Sequence, residues 1–127
     1  PGMITSQIIE HIKKCRLVIA DLSYLNPNVF YEVGLRHSLR LPSVQIIRKQ
    51  DKLPFDVGQV RTITIDMSDI YTLVPKIEVY ISDISTQSRA AMENPDFVGN
   101  PISIFYPSFY ERDQRDLHGT IVRASDE

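Results

Sequence analysis

The sequence predicts an α/β domain with a mainly parallel sheet, and two patterns support this. Leu17–Ala20 is an unbroken apolar run, typical of a strand buried on both faces, and a helical pattern begins a few turn-forming residues later. Along the chain the patterns follow the order helix, strand, helix, strand, strand, helix, which is typical of βαβ units. A doubly wound sheet normally has about five strands, so we expect the first strand of the sheet to precede Pro1.

The first predicted element is a helix that begins after an N-cap at Thr5 or Ser6. Three basic residues, Lys13, Lys14 and Arg16, close this helix, where positive charge interacts favourably with the helix dipole. The strand follows at once, and Asp21 stands where that strand would end. Four side chains at helical spacing define the apolar face of the helix: Ile8, Ile9, Ile12 and Cys15.

A second helix is predicted from about Pro27 to Arg40. Asn26 is a good N-cap, and Pro27 occupies the first turn, where its missing N–H costs nothing. The helix stops before Pro42, because a proline disfavours the helical conformation of the residue that precedes it. A second strand at residues 44–47 is short and mostly apolar.

The remainder of the chain has fewer clear elements. A third strand is predicted from about Arg61 to Asp66, and it is expected to be short or at an edge because no helix joins it to the second strand. Thr72 is predicted to cap a long helix that covers one face of the sheet. Residues 102–110 form either an edge strand or an extended segment that docks on a neighbour. The apolar stripe of the long helix consists of Ile70, Leu73, Val74, Ile77, Ile81, Ile84, Ser88 and Ala91.

Composition narrows the classes of function. The 127 residues fit one domain, and a hydrophobic content of 43% is ordinary for a globular protein. The 14 basic and 16 acidic residues nearly cancel, so the charge does not indicate a nucleic-acid or membrane partner. No stretch approaches the roughly 18 apolar residues of a membrane span, and no signal-peptide pattern opens the chain. We therefore expect a cytoplasmic protein.

Metal and cofactor sites are not indicated by any motif. The single cysteine, Cys15, excludes an internal disulfide and a cysteine-based zinc cluster, and its place in an apolar-faced helix predicts a buried structural thiol. His37 has no second histidine or cysteine at metal spacing, so we interpret it as a surface or core residue of its helix. The chain contains no GxGxxG, P-loop or GxSxG motif. We expect neither a metal nor a cofactor.

Asp21 and Glu32 are the strongest candidates for chemistry. Ligands of open α/β sheets bind at the carboxyl ends of the strands, where Asp21 is predicted to lie. Glu32 falls in the next helix, whose N-terminus would face the same crevice. Two carboxylates in a partly dry cleft can divide the roles of acid and of nucleophile or ion-pair stabiliser. Alternatively, Asp21 satisfies backbone N–H groups of the following loop, and Glu32 forms a surface ion pair with Arg36.

Other candidates lie around the start of that helix. Asn26 and Asn28 flank its N-terminus, where exposed N–H groups attract anions, although capping explains at least one of them. Gly34 inside a helix costs about 1 kcal/mol relative to alanine. This glycine indicates either close packing of the helix on the sheet or space for a ligand.

Aromatic and basic side chains add two further possibilities. Arg61 either neutralises a phosphate or pairs with Asp56 or Asp66. Three aromatic residues can stack on a base or a nicotinamide, although ordinary core packing predicts the same residue types. They are Tyr24, Tyr31 and Phe55.

The central stretch of the chain resembles a known family. The string VIADLSYLNPNVFYEVGLRHSL is similar to the segment shared by nucleoside 2-deoxyribosyltransferase-like proteins and related TIR-like nucleotide-binding domains. In that segment a hydrophobic strand ends in an acidic residue and leads through a loop into a helix bearing Glu-x-Gly. ITSQIIEHI before it and LPFDVGQVRTI after it also look like this group, so the resemblance covers roughly Gly2 to Asp66.

The resemblance implies a flavodoxin-like, Rossmann-like three-layer domain whose enzymes cleave or exchange N-glycosidic bonds. By position, Glu32 matches the glutamate that acts at the anomeric carbon, as a nucleophile or as a stabiliser of the oxocarbenium-like species. Asp21 matches the acidic residue that orients the ribose or the departing base. Asn26 stands where the family's transferases have an aspartate. The residues expected to bind the substrate are Ser23, Asn26, Asn28, Tyr31 and Gly34.

The sequence therefore predicts one nucleoside 2-deoxyribosyltransferase-like domain at residues 1–110 and a charged tail at 111–127. Its expected ligand is a nucleoside, a nucleotide or an NAD-like small molecule, and its expected reaction is hydrolysis or transfer at the N-glycosidic bond. The alternative is a non-catalytic TIR-like module that senses nucleotides or self-associates. A homo-oligomer is expected in either case, because the incomplete sheet and residues 102–110 leave surface to cover.

Overall fold

A three-stranded parallel sheet lies at the centre of the computed structural model, which describes residues 4–53, 61–94 and 99–111. The strands are β1 (Val18–Asp21), β2 (Ser43–Arg48) and β3 (Thr62–Ile65), in the spatial order β1-β2-β3. The predicted α/β fold with a parallel sheet is confirmed. The third strand is short and at an edge, as expected.

Helices cover both faces of the sheet. They are α1 (Ser6–Lys14), α2 (Pro27–Ser38), α3 (Ile70–Leu73), α4 (Ile77–Glu93) and α5 (Pro101–Phe105), with 3₁₀ turns at Ser23–Leu25, Val74–Lys76 and Pro107–Glu111. None of the helices in the described ranges combines the length and apolar character of a membrane span.

Two separate apolar cores show that the domain has three layers. On one face, Val33 of α2 packs with Ala20, Leu22 and Ile47. On the other face, Ala91 of α4 packs with Val44 and Ile63. The alternation of Val44 and Ile47 between the two cores follows from the two-residue period of a strand.

The predicted starts of the first two helices are confirmed by their caps. The Thr5 side chain accepts a hydrogen bond from the N–H of Ile8, and the Asn26 side chain accepts one from the N–H of Asn28. Pro27 is the first residue of α2. The helix ends two residues before the predicted Arg40, because Arg40 adopts a left-handed conformation with φ 55° that a continuing helix excludes.

The prediction that the first strand is buried on both faces is wrong. Ala20 is buried, but Ile19 is 49% exposed. Ile19 is in register with Val44, on the side of the sheet that α4 covers. However, α4 packs mainly on β2 and β3 and leaves Ile19 of the edge strand β1 uncovered on the same face.

The long helix begins differently from the prediction. Asp69, not Thr72, is the N-cap of α3, and its side chain accepts a hydrogen bond from the Thr72 N–H at 2.9 Å. A 3₁₀ turn containing Pro75 then separates α3 from α4, because proline has no N–H to continue the helical bonding pattern.

Only the C-terminal half of the predicted apolar stripe covers the sheet. Ile84 and Ala91 pack in the core, whereas Ile70 and Ile81 are 65% and 58% exposed. The hydroxyl of Tyr80 accepts a hydrogen bond from the N–H of Asp66, which directly follows β3. Tyr80 of α4 therefore lies beside the carboxyl end of β3. The residues of α3 and α4 that precede Tyr80 extend past the end of the sheet.

The segment 102–110 is neither an edge strand nor an extended docking segment. It forms most of α5 and the 3₁₀ turn after it, and α5 begins with a reciprocal capping box between Asn100 and Ser103. The hydroxyl of Tyr110 donates to the backbone oxygen of His37 at 2.8 Å. These residues therefore pack against α2 of their own chain. Most of the predicted tail, residues 112–127, lies outside the described residues.

Cys15 is exposed, so the prediction of a buried thiol is wrong. The helix α1 ends at Lys14, and Cys15 follows it in an extended conformation rather than continuing the apolar face. Ile12 is the buried residue of this helix.

His37 is a core residue, which is one of the two places that the sequence allowed for it. It is 7% exposed, and burial lowers its pKa from 6.5 to about 4. The unfolded chain takes up a proton near pH 6.5 while the folded chain resists protonation until about pH 4. The free energy of unfolding should therefore fall as the pH decreases through this window.

Because His37 is protonated in the unfolded chain but not in the folded one, we expect it to lower the free energy of unfolding by about 2 kcal/mol between pH 7 and pH 5. Urea unfolding at the two pH values measures it, and a His37→Leu variant provides the control because leucine does not titrate. The wild type should lose about 2 kcal/mol more than the variant. Equal losses in the two proteins would show that His37 protonates as readily in the folded chain as in the unfolded one.

Candidate functional site

The loop that follows Asp21 is hydrogen-bonded to the carboxyl end of the neighbouring strand, β2. Asp21 is exposed at the end of β1, and its Oδ1 accepts a hydrogen bond from the N–H of Ser23 at 2.9 Å. The hydroxyl of Ser23 in turn accepts one from the N–H of Arg48, the last residue of β2, also at 2.9 Å. Asp21 therefore shapes the loop through one oxygen, and the second oxygen accepts no hydrogen bond from a described residue.

Glu32 lies on α2, five residues after its first residue and about 8 Å along the helix axis. Its side chain is half-buried. Within the described ranges, no group donates a hydrogen bond to its carboxylate or forms an ion pair with it.

Arg36 is not the partner of Glu32. Its side chain is fully buried, and Nε donates to the backbone oxygen of Pro42 at 2.9 Å while one terminal nitrogen donates to the backbone oxygen of Ile12 at 2.7 Å. Burial lowers the pKa of Arg36, an effect that the nearby Cys15 thiol opposes. The alternative of a surface ion pair between Glu32 and Arg36 is wrong, because the guanidinium joins α1 to the end of α2.

The remaining predicted residues of α2 occupy different sides of the helix. Residues advance by about 100° each, so Asn28 and Glu32, four positions apart, share one flank. Tyr31 points outward and is 62% exposed. Gly34 is about 200° from Glu32 and so lies on the opposite flank.

Gly34 does not mark a close approach of the helix to the sheet. A methyl group placed at this position would have no heavy atom within 4 Å. The close-packing explanation of this glycine is therefore wrong, and open space surrounds it. The Asn26 side chain is used in capping, which was the simpler of the two roles predicted for it.

Sequence reasoning missed a cluster formed by Tyr24, Arg48 and Asp51. Arg48 and Asp51 form a bidentate pair, with Nε 2.6 Å from Oδ2 and the second contact at 3.0 Å. The same Oδ2 accepts a hydrogen bond from the backbone N–H of Tyr24 at 2.6 Å. The guanidinium carbon of Arg48 lies 3.7 Å from the centre of the Tyr24 ring. The cluster therefore holds the loop after β1 against the end of β2.

The pair formed by Arg48 and Asp51 shifts the pKa values of both side chains. The hydrogen bond from Arg48, followed by that from the Tyr24 backbone, lowers the pKa of Asp51. The hydrogen bond to Asp51 likewise raises the pKa of Arg48. A signal for the pair was present in the sequence, since an arginine and an aspartate three residues apart directly follow an apolar strand. Nothing in the sequence connects them to Tyr24, which is more than twenty residues earlier.

A shallow depression of about 360 Å³ lies at the neighbouring carboxyl end of β3. It is lined by Lys49, Gln50, Asp66 and Ser68. Asp66 Oδ2 lies 3.7 Å from Lys49 Nζ, and hydrogen bonds from the Ser68 side chain and backbone lower the Asp66 pKa. Asp66 thus pairs with Lys49. Asp56 and Phe55 lie outside the described residues.

Comparisons with known proteins found no matching family model, curated protein or solved structure. Among the described residues there is also no group of three or more histidine, cysteine or acidic side chains arranged to hold a metal ion.

Proposed function

We propose that the carboxyl edge of the sheet binds a nucleoside or nucleotide and that Glu32 acts at its N-glycosidic bond. The observation that carries this proposal is the state of the Glu32 carboxylate, which is half-buried and has no partner among the described residues. Its potential partner, Arg36, is bonded to backbone oxygens instead. A half-buried carboxylate without a counter-ion is suited to interact with positive charge that develops on a ligand.

The proposed chemistry uses Glu32 and Asp21 in different roles. As the bond between the base and the anomeric carbon breaks, positive charge develops on the sugar, and Glu32 either stabilises it or bonds to the anomeric carbon. The base leaves with the electron pair and takes a proton from solvent. Water, or a second base, then completes hydrolysis or transfer. The free oxygen of Asp21 accepts a hydrogen bond from a sugar hydroxyl.

The test is an assay of base release by the 127-residue chain. The protein is incubated separately with adenosine, thymidine, their 5′-monophosphates and NAD, and free base is measured by chromatography. We expect release from at least one of these compounds above a protein-free control. Binding is measured in parallel by calorimetry. Failure to bind any of the five would contradict the proposal.

One observation favours a binding module without turnover as the second candidate. Asn26 stands where the resembling transferases have an aspartate, and its side-chain oxygen accepts the N–H of Asn28. An amide cannot donate the proton that a departing base needs. A TIR-like sensing module predicts binding of a nucleotide in the same calorimetric experiment without any release of base.

A further inference from the structure

The Tyr24 ring is an exposed aromatic surface that the protein holds in place. The residue is 75% exposed, although one face of its ring is covered by the guanidinium of Arg48 at 3.7 Å from the ring centre. The opposite face is therefore open to solvent. Exposed tyrosines normally change rotamer freely, which would cost affinity if the ring had to be fixed on binding.

Three contacts restrict Tyr24 before any ligand arrives. Its backbone N–H donates to Asp51, Asp51 forms the bidentate pair with Arg48, and Arg48 packs on the ring. The guanidinium is flat and rigid, so a pair with two hydrogen bonds also fixes the plane that supports the ring. Tyr31, by contrast, is 62% exposed, and no cation or ring within the described part of the chain packs on it.

The backbone at this point is also unusual. Tyr24 and Leu25 have φ values of 66° and 53°, a left-handed conformation that is unfavourable for residues with a Cβ atom. Glycine would be preferred at position 24 if only the turn mattered. A tyrosine there points to a use for its side chain.

We propose that the open face of Tyr24 is the stacking surface for the base of the bound nucleoside or nucleotide. The inference rests on the function proposed above and identifies the element that receives the base. Tyr24 lies between Ser23, which bonds to Asp21, and the N-cap of α2, so it belongs to the loop that begins at the candidate carboxylate. Stacking on an aromatic ring is sequence-tolerant because every base has a π-face, so both purines and pyrimidines are accepted.

Two variants separate stacking from folding. Tyr24→Gly removes the ring and suits the left-handed backbone, so we expect it to fold at least as well as the wild type. Tyr24→Phe retains the ring. Tyr71→Ala is the matched control, because Tyr71 is 87% exposed on α3 and outside the cluster. The probes are adenosine 5′-monophosphate, thymidine 5′-monophosphate and ribose 5-phosphate, each titrated calorimetrically.

We expect Tyr24→Gly to bind the nucleotides about 5- to 150-fold more weakly than the wild type. Its affinity for ribose 5-phosphate, which has no base, should not change. Tyr24→Phe and Tyr71→Ala should bind the nucleotides as the wild type does. Unchanged nucleotide affinity in Tyr24→Gly would overturn the stacking surface and leave the proposed function intact. An equal loss of affinity for ribose 5-phosphate would also overturn the stacking surface, because the substitution would then weaken binding by altering the loop rather than by removing a contact with the base. A wild-type protein that binds neither nucleotide would overturn the stacking surface, and one that also binds none of adenosine, thymidine and NAD would overturn the proposed function as well.

Discussion

Replacing Glu32 with glutamine is expected to reduce base release by about a hundred- to a thousandfold. Glutamine has the size of glutamate but lacks its negative charge, so it neither bonds to the anomeric carbon nor stabilises positive charge on the sugar. The fold should be unaffected, because the carboxylate has no hydrogen bond or ion pair with a described residue. The measurement is the initial rate of base release on whichever compound the wild type cleaves, at saturating substrate.

The matched control is Glu78→Gln, which makes the same chemical change at an exposed position in the first turn of α4. This variant should retain the wild-type rate. Nucleotide affinity measured on Glu32→Gln separates a chemical role from a binding role, since an interaction that forms only in the transition state leaves affinity unchanged. A Glu32→Gln protein that releases base at the wild-type rate would remove Glu32 from the mechanism.

Replacing Arg36 with alanine is expected to lower the free energy of unfolding by about 3–5 kcal/mol. The side chain is fully buried, and its loss leaves the backbone oxygen of Ile12 without a donor. The backbone oxygen of Pro42 would keep only the hydrogen bond from the N–H of Val18 at 3.3 Å. Each unsatisfied buried oxygen costs about 1–3 kcal/mol. The vacated volume adds a cavity term, because close-packed surroundings relax only in part. Urea unfolding followed by circular dichroism measures the change.

Arg89→Ala is the control for Arg36, because Arg89 is exposed on α4 and its removal should change stability by less than about 0.5 kcal/mol. If Arg36→Ala does not fold, Arg36→Lys still tests the argument. Lysine keeps the charge but lacks the planar fork that serves two oxygens at once, so this variant should be intermediate in stability. An Arg36→Ala protein as stable as Arg89→Ala would show that the buried guanidinium contributes nothing.

Local signals in the sequence were sufficient to predict most of the helices and strands. Thr5, Asn26 and Pro27 mark the starts of α1 and α2 correctly, because an N-cap acts through backbone groups only two or three residues away. The apolar runs located all three strands. The predicted helix between the first two strands indicated that they are parallel, whereas no predicted helix indicated this for β2 and β3. The start of the long helix was misplaced because Asp69 and Thr72 are both acceptable caps, and the sequence does not rank them.

The burial of individual side chains was harder to predict from the sequence. Cys15 and Ile19 were placed in the core from apolar patterns, but the helix ends before one and the sheet edge exposes the other. For Arg36 a usable signal existed. It lies at helical spacing from Val29 and Val33, on the face of α2 that packs on the sheet, yet its charge suggested a surface position.

The sequence by itself determined the order of the first helices and strands, the N-caps of α1 and α2, and the position of Asp21 at the end of a strand. These features depend on residues close together in the chain, so they can be identified without knowing the fold. Only the tertiary structure decided that Arg36 bonds to Ile12 and Pro42 and that Tyr24 packs on Arg48. Those contacts join segments that are distant along the chain, and their partners are selected by the packing of whole elements, which local patterns do not specify.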